Sequence, residues 1–149
     1  MTPDAFEATA TELGLQIGAS ALLAVAAIAI HSVGLIEMSR RLHLTREELE
    51  DRNFDYSAIL LLAGIGLLLF SLHIVEILLF ALFYLQVEAI HGFEAAFYYS
   101  ASAYATLGTS TDFFAQHWRM VGAIEALVGF ILIGWSTAFM VSTVNRLRG

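Results

Sequence analysis

Apolar residues run along this chain in three long blocks and one short one, and the breaks between them set the expected elements. The long blocks cover 13–38, 56–86 and 120–145. A bilayer core takes about 20 apolar residues in helical form, so each long block predicts a transmembrane helix. The second is longer than the core requires and is expected to tilt or protrude. The short block, 93–105, cannot span and predicts a re-entrant or interfacial helix. Between the first two long blocks lies the polar stretch 39–55. It contains Thr45-Arg46-Glu47-Glu48, a capping box that predicts a short separate helix inside a solvated hairpin loop. Residues 1–12 form an acidic N-terminal segment, the reverse of the basic start of a signal peptide. The fold class expected is an all-α membrane protein.

Composition sharpens this. The 149 residues are 58% hydrophobic and 14% charged, whereas soluble domains run near 45–50% and about 25%. A chain this short cannot hide so much apolar side chain in its own interior, which excludes a soluble enzyme. With no cysteine there is no disulfide framework and no thiolate site. A net charge of −7 excludes nucleic acid as a partner and leaves the lipid bilayer.

All seven basic residues are arginine. Arg40, Arg41, Arg46 and Arg52 fall between the first two spans, and Arg146 and Arg148 follow the third. Only Arg119 lies on the other side. The positive-inside rule then places the N-terminus outside and the C-terminus in the cytoplasm of a multi-pass plasma (inner) membrane protein. The region 86–120 lies outside, where aromatic residues cluster as in an interfacial belt.

The order of span, short helix, small polar turn and span places irregular backbone at membrane depth, where it is tolerated only inside protein or around water. The turn Thr106-Leu107-Gly108-Thr109-Ser110-Thr111-Asp112 offers carbonyls and hydroxyls, hard oxygen ligands suited to alkali cations or water. A helix ending just before it directs its negative dipole end at a cation.

Here the residues resemble a family. The run from Tyr98-Tyr99-Ser100 through Ser102 to Thr106-Leu107-Gly108-Thr109-Ser110 looks like the pore helix and selectivity filter of tetrameric potassium channels. Glu125-Ala126-Leu127-Val128-Gly129 and Gly134-Trp135-Ser136-Thr137 resemble that family's inner helix. The resemblance covers 56–148. It implies an outer helix 56–86, a pore helix 93–105, a filter 106–112 and an inner helix 120–145, with 13–38 as a peripheral helix. It also implies a homotetramer around a four-fold axis, conducting monovalent cations, K+ first among them, with no other cofactor and no catalytic role.

By the same resemblance Thr106 matches the filter threonine, Leu107 the valine packed behind the filter and Gly108 its first glycine. Thr109 stands where tyrosine is usual and Ser110 where a second glycine is usual; an acid comes one position late, at Asp112. Family filters alternate backbone hand, and a non-glycine residue in the left-handed region costs about 1–2 kcal/mol. Ser110 is therefore expected to resist the outer half of that geometry, which gives altered or weak potassium selectivity. Tyr98, Tyr99, Ser102, Asp112 and Glu125 are the expected supports of the filter. Glu125 either braces the pore helix through Tyr98, Tyr99 or Ser102, or faces water at the outer interface. Ser136, Met140 and Thr143 share a stripe expected to line the inner conduit. Gly129 and Gly134 serve either as bends or as close-packing positions.

Among the other polar residues, His73 and Glu76 sit three apart on one helix face. They form either a functional site or a pair turned inward and hydrogen-bonded to a neighbouring helix. Two ligands without a third define no metal geometry, so no metal site is assigned. His31, near the inner end of the first span, is expected at the interface. Two rival readings accompany the channel: a non-conducting membrane scaffold or accessory protein, and a membrane enzyme built on His73, Glu76 and His31.

Overall fold

A computed structural model describes residues 3–49, 54–108 and 118–148 of the chain. Four helices follow in order: α1 (Pro3–Leu49), α2 (Phe54–Gln86), α3 (Phe93–Tyr104) and α4 (Arg119–Arg148). Among the described residues there is no strand. Three segments are long and apolar enough to cross a membrane: Thr11–Arg41, Ile59–Gln86 and Arg119–Asn145.

The first helix differs from expectation. It runs unbroken through 39–49, where a hairpin loop and a new helix were expected. Pro3 opens it, at the position where a missing N–H costs nothing. Neither proline nor glycine occurs between Gly34 and Leu49, so nothing stops the helix. A backbone already helical at Thr45 has no free N–H groups for a capping box to satisfy. At 1.5 Å per residue its 47 residues extend about 70 Å, well past a bilayer core.

The packing is inverted relative to a soluble bundle. Leu22, Val25, Leu60, Phe70, Leu127 and Phe130 point outward, while Ser20, His31, Glu76, Ser100 and Glu125 are fully buried. Lipid takes the apolar faces, and polar groups turn inward because hydrocarbon cannot hydrogen-bond them. α1 lies against both α4 and α2, and α3 is wedged between α2 and α4. The larger core joins Phe80, Ala81 and Tyr84 of α2, Ala96, Tyr99 and Tyr104 of α3, and Val121, Val128 and Leu132 of α4. A smaller one gathers Leu35, Met38, Ile65 and Leu69, with Met140 against it.

Glycines permit the close approaches. A Cβ on Gly34 would fall 2.7 Å from Leu72 Cδ2, so α1 and α2 touch there. A Cβ on Gly129 would fall 2.9 Å from the carbonyl carbon of Tyr104 and 2.8 Å from its ring. Gly129 is therefore a packing position, whereas Gly134 faces open space.

Candidate functional site

The twelve residues of α3 extend about 18 Å, too short to cross a bilayer core. Two of its side chains, Ser100 and Tyr104, lie four apart on one face. Each binds a buried carboxylate on a different neighbour. Ser100 Oγ lies 2.5 Å from Glu125 Oε1 on α4, and Tyr84 of α2 donates to Glu125 Oε2 at 2.5 Å. Ser100 also reaches the carbonyl of Ile77 at 2.8 Å. Glu125 thus braces α3 through Ser100, a partner that the motif did not point to.

The supports expected from the motif are placed differently. Tyr98 is 67% exposed. Tyr99 is buried, its ring edge-on to Tyr84 at 5.3 Å and its phenol end packed against Gly122. Ser102 is buried, and its carbonyl accepts a hydrogen bond from Leu107 N at 2.9 Å.

At the other end of the face, Tyr104 donates its hydroxyl to Glu76. Burial pushes the Tyr104 phenol above its ordinary range and the bond to Glu76 adds to this, so the hydroxyl keeps its proton and acts as a donor. Around Glu76 all four helices converge. His31 Nδ1 of α1 lies 2.8 Å from Glu76 Oε1, and His73 Nδ1 of α2 lies 3.1 Å from Oε2 and 2.8 Å from the Tyr104 hydroxyl. Ser136 Oγ of α4 stands 3.0 Å from His73 Nε2 and 3.4 Å from His31 Nε2. The two imidazoles lie 5.5 Å apart, and Trp135 stacks on His31.

Two sequence expectations are corrected here, for His31 and for the stripe on α4, and the inward reading of His73 and Glu76 is met and extended. His31 is not interfacial; it is wholly buried at the centre of this cluster. The pair His73 and Glu76 is turned inward, and the fold brings His31 to it as a third titratable partner. The stripe Ser136, Met140 and Thr143 faces its own chain: Ser136 meets the histidines, Thr143 is buried and donates to the carbonyl of Phe139, and Met140 packs in the smaller core. Residue spacing fixed these three on one stripe but not the direction it faces, and α1, lying along α4, decides that.

Backbone torsions mark both ends of the α2–α3–turn unit. α3 stops in a Schellman motif, with Thr106 N bonded to Ala103 O and Leu107 N to Ser102 O, both at 2.9 Å. The residue in the left-handed region is Thr106 (φ +57°), where glycine is usual. α2 stops the same way, with Glu88 N to Leu85 O at 3.1 Å and Ala89 N to Tyr84 O at 2.9 Å, and Glu88 at φ +54°. After Thr106 the hand alternates: Gly108 has φ +72°, and Leu107 between them is not left-handed. Leu107 is 78% exposed, so the described residues cover little of it. A recess of about 630 Å³ lies beside this turn, bordered by Gln16, Thr106, Gly108 and Arg119. Thr109, Ser110 and Asp112 fall outside the described residues.

The sequence does contain a signal for the residues that were missed. In α1 the buried positions Gln16, Ser20, Ala27, His31, Leu35 and Met38 recur at steps of three, four or seven, which keeps them on one stripe. In α2, Glu76, Phe80 and Tyr84 form an i, i+4, i+8 row that is wholly buried. Comparison with family models, curated proteins and solved structures finds no match for this chain.

Proposed function

We propose that the chain is one subunit of a homotetrameric cation channel of the plasma (inner) membrane, with 106–112 as its filter. It is a transport protein and not an enzyme. The observation that carries the reading is the alternation of backbone hand at Thr106 and Gly108 directly after a helix too short to span. Alternating hand turns successive carbonyls toward one side, which a strand needs if its carbonyls are to replace the water around a cation. Two buried carboxylates hold the helix that presents this strand, and a filter needs such rigid support. The permeant ion is monovalent and K+-like. Selectivity is weak, because a filter that continued the alternation past Gly108 would need a left-handed residue where the sequence has Ser110 and not glycine.

One rival has an observation of its own. A Schellman cap accounts for Thr106 by itself, as it would in a non-conducting scaffold; it does not call for a second left-handed residue at Gly108. The test is reconstitution of the purified protein in planar bilayers under a K+/Na+ gradient, with cross-linking to count subunits. The reading expects a tetramer that passes K+ and, less readily, Na+. A tetramer with no ion flux supports the scaffold, and strict K+ selectivity overturns the altered filter.

A further inference from the structure

We propose that His31, His73 and Glu76 form an intramembrane site for a zinc-type divalent transition metal that pins α1 to α2 beneath the end of α3. The inference stands independently of the pore reading. One ring nitrogen from each of His31 and His73 and a Glu76 carboxylate oxygen lie within 4.8 Å of one another. Tetrahedral zinc, with bonds of about 2.0–2.2 Å, holds its ligand atoms about 3.3 Å apart. His31 Nδ1 lies 2.8 Å from Glu76 Oε1 and His73 Nδ1 lies 3.1 Å from Oε2, both a few tenths of an ångström under that spacing. Side-chain shifts that open these two contacts slightly would admit an ion between the three groups.

The donor set selects the metal. Two imidazole nitrogens and one carboxylate oxygen suit zinc and its neighbours, whereas calcium and magnesium demand oxygen shells. Charge points the same way. Glu76 is fully buried, and its hydrogen-bond partners are two imidazoles and a phenol, none of which carries a permanent positive charge. A carboxylate at membrane depth calls for a cation, and a divalent ion between the three groups supplies it.

Ser136 is the independent indication. Metal-bound histidines hand their remaining N–H to a second group that fixes the ring and its tautomer. One hydroxyl oxygen, with two lone pairs, here faces the distal nitrogens of both histidines. When Nδ1 binds the ion, each imidazole carries its proton on Nε2 and donates it to Ser136. No proton is lost from either ring. Glu76 binds through one oxygen and leaves the other to accept from Tyr104. Of the three ligands, His31 and Glu76 are sealed and only His73 is 17% exposed; a water entering beside His73 would complete the tetrahedron as the fourth ligand.

The test uses the whole purified chain in nanodiscs, with Co2+ as the probe and Zn2+ as its competitor. The expected result is one Co2+ per chain with tetrahedral ligand-field absorption that Zn2+ displaces. His31→Gln and His73→Gln each keep the helical circular dichroism and lose the absorption. Ser136→Ala keeps all three ligands and weakens Co2+ binding about 10–100-fold. X-ray absorption on Zn2+-loaded wild-type protein needs no variant to fold, and its first shell is expected to contain two imidazole nitrogens. A wild-type chain that takes up no Co2+, a shell of oxygens alone, or absorption unchanged in both histidine variants overturns the site and leaves a purely hydrogen-bonded cluster. None of these readouts depends on ion conduction, so the site and the channel can fail separately.

Discussion

Tyr104, the last residue of the helix too short to span, donates its hydroxyl to Glu76, a carboxylate sealed within α2. The next three residues begin the turn with alternating backbone hand, so this bond anchors the start of that turn. Tyr104→Phe keeps the ring and removes the hydroxyl alone. Leaving a buried acceptor without one of its donors costs about 1–3 kcal/mol. Thermal unfolding in detergent is expected to register that loss, and ion flux should fall with it if the turn conducts. An unchanged melting temperature would show that the bond does not anchor α3.

The second anchor is expected to behave differently toward charge and toward size. Ser100 has one hydroxyl proton and two acceptors in reach, Ile77 O at 2.8 Å and Glu125 Oε1 at 2.5 Å. A neutral group at 125 that donates to Ser100 satisfies both contacts while still accepting from Tyr84. Glu125→Gln offers that pattern and is expected to change stability by less than about 1 kcal/mol. Glu125→Ala removes the acceptor of the Tyr84 hydroxyl bond and leaves a buried gap beside Ser100, and should cost about 2–5 kcal/mol. Equal melting temperatures for the two variants would contradict the bracing role.

How much of this was legible beforehand depends on the residue. The three spans and the short helix follow from block length alone, because lipid thickness is a fixed ruler. The inward turn of His73 and Glu76 follows from their spacing on a costly background. The partner of that pair did not: His31 lies 45 positions from Glu76, and nothing local says which way a lone histidine on an apolar helix faces. Its companions Gln16 and Ser20 on the same stripe were the available hint. Ser136 shows the reverse failure. A hydroxyl stripe on α4 suits a wet conduit or a polar core equally well, and only the packing of α1 along α4 separates them. The extension of α1 through Thr45 was missed because a capping box marks a helix start only where no helix already runs.

The two left-handed residues that are not glycine among the described residues offer a matched comparison. Glu88 and Thr106 hold the same position in two Schellman motifs, both are exposed, and neither is glycine. Each stores about 1–2 kcal/mol of backbone strain, and β-branching makes Thr106 the more unusual. Glu88→Gly is expected to raise stability by up to about 1 kcal/mol and leave flux unchanged. Thr106→Gly should release similar strain and reduce K+ flux by removing a hydroxyl that the pore reading places at the ion. Melting curves and liposome flux on both variants decide this. Equal flux in Thr106→Gly and wild type would detach the threonine from conduction.

The glycines of α4 separate packing from flexibility. Gly129 and Gly134 both lie inside the helix, where alanine is intrinsically better than glycine by about 0.5–1 kcal/mol. At Gly134 nothing lies within 4 Å of an added Cβ, so Gly134→Ala is expected to gain that amount. At Gly129 the methyl would run into the main chain of Tyr104, which cannot rotate away as a side chain could. Gly129→Ala must push α3 off α4, at a cost of about 1–3 kcal/mol for overpacking. It would also shift Tyr104 against Glu76, so its effect should be non-additive with Tyr104→Phe, as expected for residues in contact. A double-mutant cycle by thermal unfolding is the measurement. Opposite signs for the two alanine variants are expected. Additivity of Gly129→Ala with Tyr104→Phe would place the contact elsewhere.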